Sequence, residues 1–479
     1  MFYNDVNTVK IAFIDPGFGK QSFATFGDSH WSSVIHHGLC SLSACVKEAG
    51  FNDVALIDIR RLKDWEEFKK ELREKSPDVL CVTMRSCDFV MVNKILLLAK
   101  EFNSKIKTIV GGVHPTVMPQ EVMTLPNIDH IIAGEGEVSL VELLKALDKK
   151  EQPQKFITGK VPDINKLPFD DRALYDYKIV LDQVSYPGIF KPPMITMHGS
   201  RGCPYNCSYC APHARTMFGN VRFRTPKNVI DELITLREKY NFKSIKFYDY
   251  SFTLNKKWVL EFCDLYDKEG FKAEIIGQSR ADLICKYPEL LPRLKNIGLK
   301  LMLVGFESGS QKVLDSLNKG TTIEQNFKAA QLIKDNGIML GASFMLGSPY
   351  EWKEDVDATV DMAKKMNPHF VSASFFTPVP GSTLYDYCKK NDLSLVKDYE
   401  ELITYAPGRK RIKGVDYKYL QQAVDEIMGA RFGGKISGKI IQTVYIKTKN
   451  MLKLRHFLVR LYSMWVRSRL YSYLSGSSR

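Results

Sequence analysis

Between residues 193 and 385 the chain carries six short apolar runs of β-type residues, each separated from the next by an amphipathic helical segment. The runs are MITMHGS (194–200), SIKFYDYS (244–251), AEIIGQSRAD (273–282), KLMLVGFESG (300–309), MLGASFMLGS (339–348) and FVSASFFTPVPG (370–381). Helical periodicity falls near 226–240, 255–268, 287–297, 323–336 and 353–366. Strands joined by helices of this length pair in parallel, because a tight hairpin is excluded and the crossover must be right-handed. Six such strands in order predict a partial (βα)6 barrel of TIM type, with its ligand site at the carboxyl ends of the strands.

The first 150 residues repeat the alternation on a different scale. KIAFIDPG (10–17), VALIDIR (54–60), VLCVTMRS (79–86) and KTIVGGVHPT (107–116) are β-type runs separated by helical segments near 34–49, 64–75 and 88–102. That pattern predicts an α/β, doubly wound, Rossmann-like sheet, which binds ligands at its carboxyl edge. A chain of 479 residues has room for both units. We place the first at 1–150, a linker at 151–192, the barrel at 193–385 and a C-terminal α-helical region at 386–479. The linker includes DINKLPFDDRALYDY (163–177), which bears proline and lacks regular periodicity. No apolar run approaches the roughly 18 residues of a membrane span, and the start lacks a secretory pattern, so a cytoplasmic location is expected.

RGCPYNCSYC (201–210) puts Cys203, Cys207 and Cys210 in a loop directly after the first barrel strand, on the rim where ligands bind. The other seven cysteines lie among apolar neighbours and read as small buried hydrophobes. Zinc sites usually take four ligands, commonly as two CxxC pairs, and no partner pair or histidine cluster follows. Three thiolates suit an iron–sulfur cluster that keeps one iron open to a small molecule. The CxxxCxxC spacing, with Tyr209 before the last cysteine, resembles the radical S-adenosylmethionine (radical SAM) superfamily. The resemblance implies a [4Fe–4S] cluster on Cys203, Cys207 and Cys210, with S-adenosylmethionine chelating the open iron and yielding a 5′-deoxyadenosyl radical on reduction. It also assigns Tyr209, Gly305, Glu307 and Gly309 to the S-adenosylmethionine site, with Glu307 of GFESG on the ribose hydroxyls. Asp249 and Arg280 are candidates for the methionine amine and carboxylate; Tyr250 departs from the second acid that relatives carry. A low-potential electron donor of flavodoxin or ferredoxin type is implied.

VGGVHPT (110–116) and AGEGE (133–137), placed upstream of that motif, resemble the cobalamin-binding domain that precedes many radical SAM domains. By that resemblance residues 1–150 bind cobalamin, with Gly111, Gly112, His114, Thr116, Gly134 and Gly136 at the site. DSHWSS places Asp28 and His30 where a DxHxxG cobalt-ligating motif would stand, but Ser33 replaces its glycine. His36 and His37 read as helix-end polar groups.

After Glu426 the chain has no acid and eleven Lys and Arg residues, most of the formal +14. Met451, Leu454, Leu458, Leu461 and Trp465 recur at helical steps, and Lys453, Arg460 and Arg467 repeat every seventh position. A basic amphipathic helix of this kind over 451–474 is the pattern of a segment lying on an anionic membrane surface, so residues 431–474 are expected to hold the protein at the inner face of the membrane. The competing reading docks the helix on its own barrel. Nucleic acid is not expected, because the aromatics fall within the apolar pattern. The nearest resemblance is to class B radical SAM methyltransferases, acting on an unactivated carbon of a small, lipophilic molecule. The alternative is the anaerobic magnesium-protoporphyrin monomethyl ester oxidative cyclase type, or another ring rearrangement, without net methyl transfer. A third reading is a non-enzymatic cofactor-binding protein at a membrane.

Overall fold

The structure is a computed structural model that describes residues 9–17, 22–25, 34–181, 186, 189–210, 217–402 and 410–430. Its N-terminal sheet contains β1 (Ile11–Asp15), β2 (Val54–Asp58), β3 (Val79–Thr83), β4 (Lys107–Gly112), β5 (His130–Ala133) and β6 (Phe156–Thr158) in the order β2-β1-β3-β4-β5-β6. Every neighbouring pair is parallel. Alternation along β1 shows how the sheet is covered. Ala12 and Ile14 enter the core under helices Trp65–Lys75 and Phe89–Phe102, and Ile11 and Phe13 enter the core under His37–Glu48 and Glu137–Asp148. Both faces are therefore apolar, as a doubly wound sheet requires. The sequence pattern predicts four of these strands; β5 and β6 are additional, and β6 lies beyond residue 150.

The second sheet contains β7 (Met194–Met197), then, after a two-stranded antiparallel ribbon of β8 (Ser200–Arg201) and β9 (Arg222–Phe223), β10 (Ser244–Phe247), β11 (Glu274–Ser279), β12 (Leu299–Glu307), β13 (Met339–Leu346) and β14 (Phe370–Phe375). The six main strands run in sequential order and are all parallel, which is the predicted open barrel. Helices Pro226–Tyr240, Lys256–Lys268, Ile323–Asp335 and Lys353–Met366 match the predicted segments within two residues. The helix expected at 287–297 is Leu290–Asn296, and a further helix, Ala281–Lys286, precedes it. The break falls at Tyr287–Pro288, where the proline disfavours helical backbone in the residue before it.

Ile189, Phe190, Met194, Ile276, Leu301, Met339 and Phe370 form an apolar cluster at the amino end of the barrel strands. Any polar chemistry is thereby left to the carboxyl end. Helix Tyr417–Ala430 adds Leu420, Ala423, Val424 and Ile427 to the barrel core and packs against β14 and Lys353–Met366. Among the described residues no helix is long and apolar enough to cross a membrane. Residues 431–474, with the basic amphipathic pattern, lie outside the described residues, as do Asp28, His30 and Ser33.

Candidate functional site

The ribbon β8–β9 brackets the segment that holds Cys203, Cys207 and Cys210. Gly202 opens the segment at φ 92°, a left-handed conformation suited to glycine. Hydrogen bonds then pin it to the barrel rim. The Ser208 amide donates to the Leu317 carbonyl at 2.9 Å, the Leu384 amide donates to the Ser208 carbonyl at 2.9 Å, and Asn318 Nδ2 donates to the Asn206 carbonyl at 2.7 Å. Burial raises the Cys203 thiol and pushes the Cys210 thiol up to about 11, with the neighbouring thiols adding to the effect. Among the described residues no three His, Cys, Asp or Glu side chains are disposed to hold a single metal ion. Three thiols at this spacing offer a sulfur-only donor set, which suits an iron–sulfur centre.

Around that loop stand the other barrel residues singled out in the sequence. Glu307 ends β12 at φ 65°, an uncommon conformation for a residue with a side chain, beside a register shift between β12 and β13. Tyr209 donates its hydroxyl proton to Glu307 Oε1 at 3.0 Å, and Lys319 Nζ donates to the same oxygen at 2.9 Å. A Cβ at Gly305 would collide with that oxygen, so glycine lets the carboxylate fold over the strand. Gly309 has a packing role, since a Cβ there would collide with the Ala358 carbonyl oxygen. The Arg280 guanidinium lies 3.5 Å over the Tyr205 ring, binds Asp282 at 2.9 Å, and brings Nη1 to 3.7 Å from Cys207 Sγ. Asp249 is buried and accepts from the Gly199 amide at 2.9 Å and the Ser200 hydroxyl at 2.5 Å. It therefore holds the turn from β7 into β8, and burial raises its carboxyl above the ordinary value.

A cavity of about 490 Å³ lies between the two sheets at the carboxyl ends of both. Gly111, Gly112, Gly134 and Gly136 line it from β4, β5 and the loops after them, and Phe13, Leu39, Leu42 and Leu140 make an apolar wall. The barrel contributes Met197, His198, Tyr248 and Tyr250. Ser200 and Arg201 of the ribbon that brackets the cysteine segment also line it, so the cavity reaches the neighbourhood of that segment. Thr116 is set back from the wall and ties its two glycine loops together, donating to the Gly112 carbonyl at 2.7 Å and accepting from the Gly134 amide at 2.8 Å. His114 is also off the wall. It is fully buried, with Nδ1 3.0 Å from Ser86 Oγ and its ring against Phe89 and Tyr399, and burial pushes it down to about 4 and keeps it neutral.

The structure adds roles that sequence reasoning did not assign, and His37 was expected only as a helix-end polar group. His37 reaches the cavity with Nδ1 2.6 Å from Asp170 and Nε2 2.8 Å from Thr196 Oγ1, and its ring touches His198. His36, as expected, caps the helix that follows, accepting from the Leu39 amide. Lys319 lies in a loop with no periodic signal. Glu135 and Glu137 stand between and after the recognised glycines and form ion pairs with Arg201 and Arg222 of the barrel ribbon.

Residues 197–363 match the family model described as the Radical SAM superfamily, and residues 32–144 match the B12 binding domain. An anaerobic magnesium-protoporphyrin IX monomethyl ester cyclase of Rubrivivax gelatinosus is 30% identical over 84% of this chain and 74% of its own. An uncharacterized methyltransferase of Pyrococcus horikoshii is 29% identical over 78% of this chain and 82% of its own. The solved structure of the cobalamin-dependent S-adenosylmethionine radical enzyme OxsB with aqua-cobalamin bound superposes with a TM-score of 0.67 at 16% identity, covering 97% of this chain and 73% of that one. That likeness bears on the fold.

Proposed function

Because this chain belongs to the radical SAM enzymes that carry a B12-binding domain, we propose that it methylates an unactivated carbon of a lipophilic small molecule. The observation that carries this reading is the cavity bounded by both the glycine edge of the first sheet and the cysteine-bearing rim of the second. Its residues fit the cofactors. Gly111, Gly112, Gly134 and Gly136 leave the cavity edge free of side chains, Leu39 and Leu42 provide an apolar face, and the three thiols offer a sulfur-only donor set. When bound, the cluster with S-adenosylmethionine supplies a 5′-deoxyadenosyl radical, and cobalamin supplies a methyl group that a carbon radical can accept. The chain's own residues orient and enclose. Cys203, Cys207 and Cys210 hold the cluster. Glu307, fixed by Tyr209 and Lys319, would meet the ribose hydroxyls; Arg280 stands beside the cluster loop; and Asp249 braces the turn from β7 into β8. The apolar walls exclude water from the reacting carbon.

The similarity to the Rubrivivax cyclase supports a second reading, ring formation without net methyl transfer. Product mass separates the two, since methyl transfer adds one methylene equivalent and ring formation does not. A tetrapyrrole or a polycyclic isoprenoid suits either reading, and a flavodoxin or ferredoxin would supply the electron.

The basic segment 431–474 supports delivery of such a substrate from a bilayer. Attraction to anionic lipid contributes about 1 kcal/mol per Lys or Arg near the surface, and an apolar helix face adds burial. The full-length protein is expected to sediment with anionic liposomes at low salt. Truncation after Ala430 should release it while leaving the folded core intact, because helix Tyr417–Ala430 remains packed on the barrel. Full-length protein that stays in the supernatant at low salt would remove this support for a membrane-delivered substrate.

A further inference from the structure

We propose that Glu135 is a positioning residue that registers the cluster-bearing segment against the cobalamin pocket, so that filling one site alters the other. The segment from Cys203 to Cys210 is bracketed by Arg201 and Arg222, which pair directly across the β8–β9 ribbon. Both guanidinium groups converge on one carboxylate of the first domain. Arg201 Nη1 lies 2.5 Å from Glu135 Oε2, and Arg222 Nη2 binds Glu135 Oε1. Arg201 Nη2 also reaches Glu137 at 2.7 Å, and Ser41 Oγ donates to Glu137 at 3.0 Å.

The carboxylate is 1% exposed and cannot drift. A Cβ on Gly159 would collide with the Glu135 carbonyl oxygen, so the backbone there is clamped against β6 and the loop after it. On either side of Glu135, Gly134 and Gly136 line the interdomain cavity. A ligand pressing on those glycines therefore acts on the backbone that carries Glu135, and through two part-buried arginine contacts on the ribbon strands that flank the cysteine segment. Buried ion pairs cost desolvation that offsets much of their attraction, so their clearest contribution is to geometry. Coupling of this kind is reciprocal between the two sites.

The inference rests on cobalamin occupying the cavity. The test uses full-length protein with a reconstituted cluster. The S-adenosylmethionine dissociation constant is read from the electron paramagnetic resonance of the reduced cluster, with and without hydroxocobalamin, and hydroxocobalamin binding is read from absorbance. Hydroxocobalamin should shift the wild-type constant at least threefold. In Glu135→Gln both ligands should still bind and the shift should vanish. Arg222→Gln, which leaves Arg201 on Glu135, should retain a reduced shift and serves if the first variant does not fold. A wild-type shift that persists undiminished in the variants, or no shift in wild type with both ligands bound, overturns the proposal alone. Wild type that fails to bind hydroxocobalamin removes the cavity assignment, and the proposal with it.

Discussion

Alanine at Cys203, Cys207 or Cys210 is expected to abolish formation of 5′-deoxyadenosine from S-adenosylmethionine. A cluster held by three thiolates keeps one iron for the small molecule, so a missing ligand removes the site as well as weakening its attachment. The described surroundings offer no substitute. Among the described residues no further cysteine or histidine forms a metal-holding group with these three, and the other cysteines are buried or half-buried elsewhere in the fold. The loop itself should survive the change, because Ser208, Asn206 and Leu384 pin it through backbone groups that alanine leaves in place. Iron content, the cluster's visible absorbance and nucleoside formation should fall together while the melting temperature changes little. Nucleoside formation retained in the triple variant would contradict the cluster assignment.

Gly112→Ala is expected to weaken hydroxocobalamin binding at least tenfold, about 1.4 kcal/mol. Gly112 has φ 104° and ψ −160°, a region that side chains disfavour by about 1–3 kcal/mol. Its new Cβ would meet Thr83 Oγ1 at 2.8 Å and the Met84 amide nitrogen at 3.0 Å. Relief must move the β4 loop or the end of β3, and both line the cavity. Gly50→Ala is the control. Gly50 has φ 98° and a Cβ added there would have nothing within 4 Å, so the change incurs backbone strain away from the cavity. Equilibrium dialysis should separate the two, with Gly50→Ala binding hydroxocobalamin as wild type does. Equal binding by Gly112→Ala and wild type would show that this glycine edge does not contact the ligand.

Most of the scaffold was legible because period and order are local properties. The six barrel strands fell where apolar runs lay between helical segments. What escaped was short or non-local. Strand β5 has four residues and β6 three, too few to show alternation, and β8 and β9 have two each. The cysteine loop and the glycines of VGGVHPT and AGEGE lie at the carboxyl edges of the two sheets, where strand order placed them. Spacing could not tell that His114 faces Ser86 and Phe89 rather than the cavity, or that Asp249 is engaged by Gly199 and Ser200. The Glu135 ion pairs join residues 66 and 87 positions apart, and only the two acids embedded in AGEGE hinted at them. Lys319 left no trace in periodicity, because its role comes from a loop folding over Tyr209 and Glu307.

Methyl transfer by this cavity is tested most directly with S-adenosylmethionine carrying a trideuterated methyl group. The full-length protein, with cluster and hydroxocobalamin reconstituted anaerobically and a low-potential reductant present, is offered a panel of tetrapyrroles and polycyclic isoprenoids, and products are read by mass spectrometry. The expected result is a product heavier than its substrate by one methylene equivalent with the deuterium retained, formed together with 5′-deoxyadenosine. A substrate consumed with 5′-deoxyadenosine release, yielding a product that carries no deuterium and no added carbon, would contradict methyl transfer and establish the ring-forming reading instead.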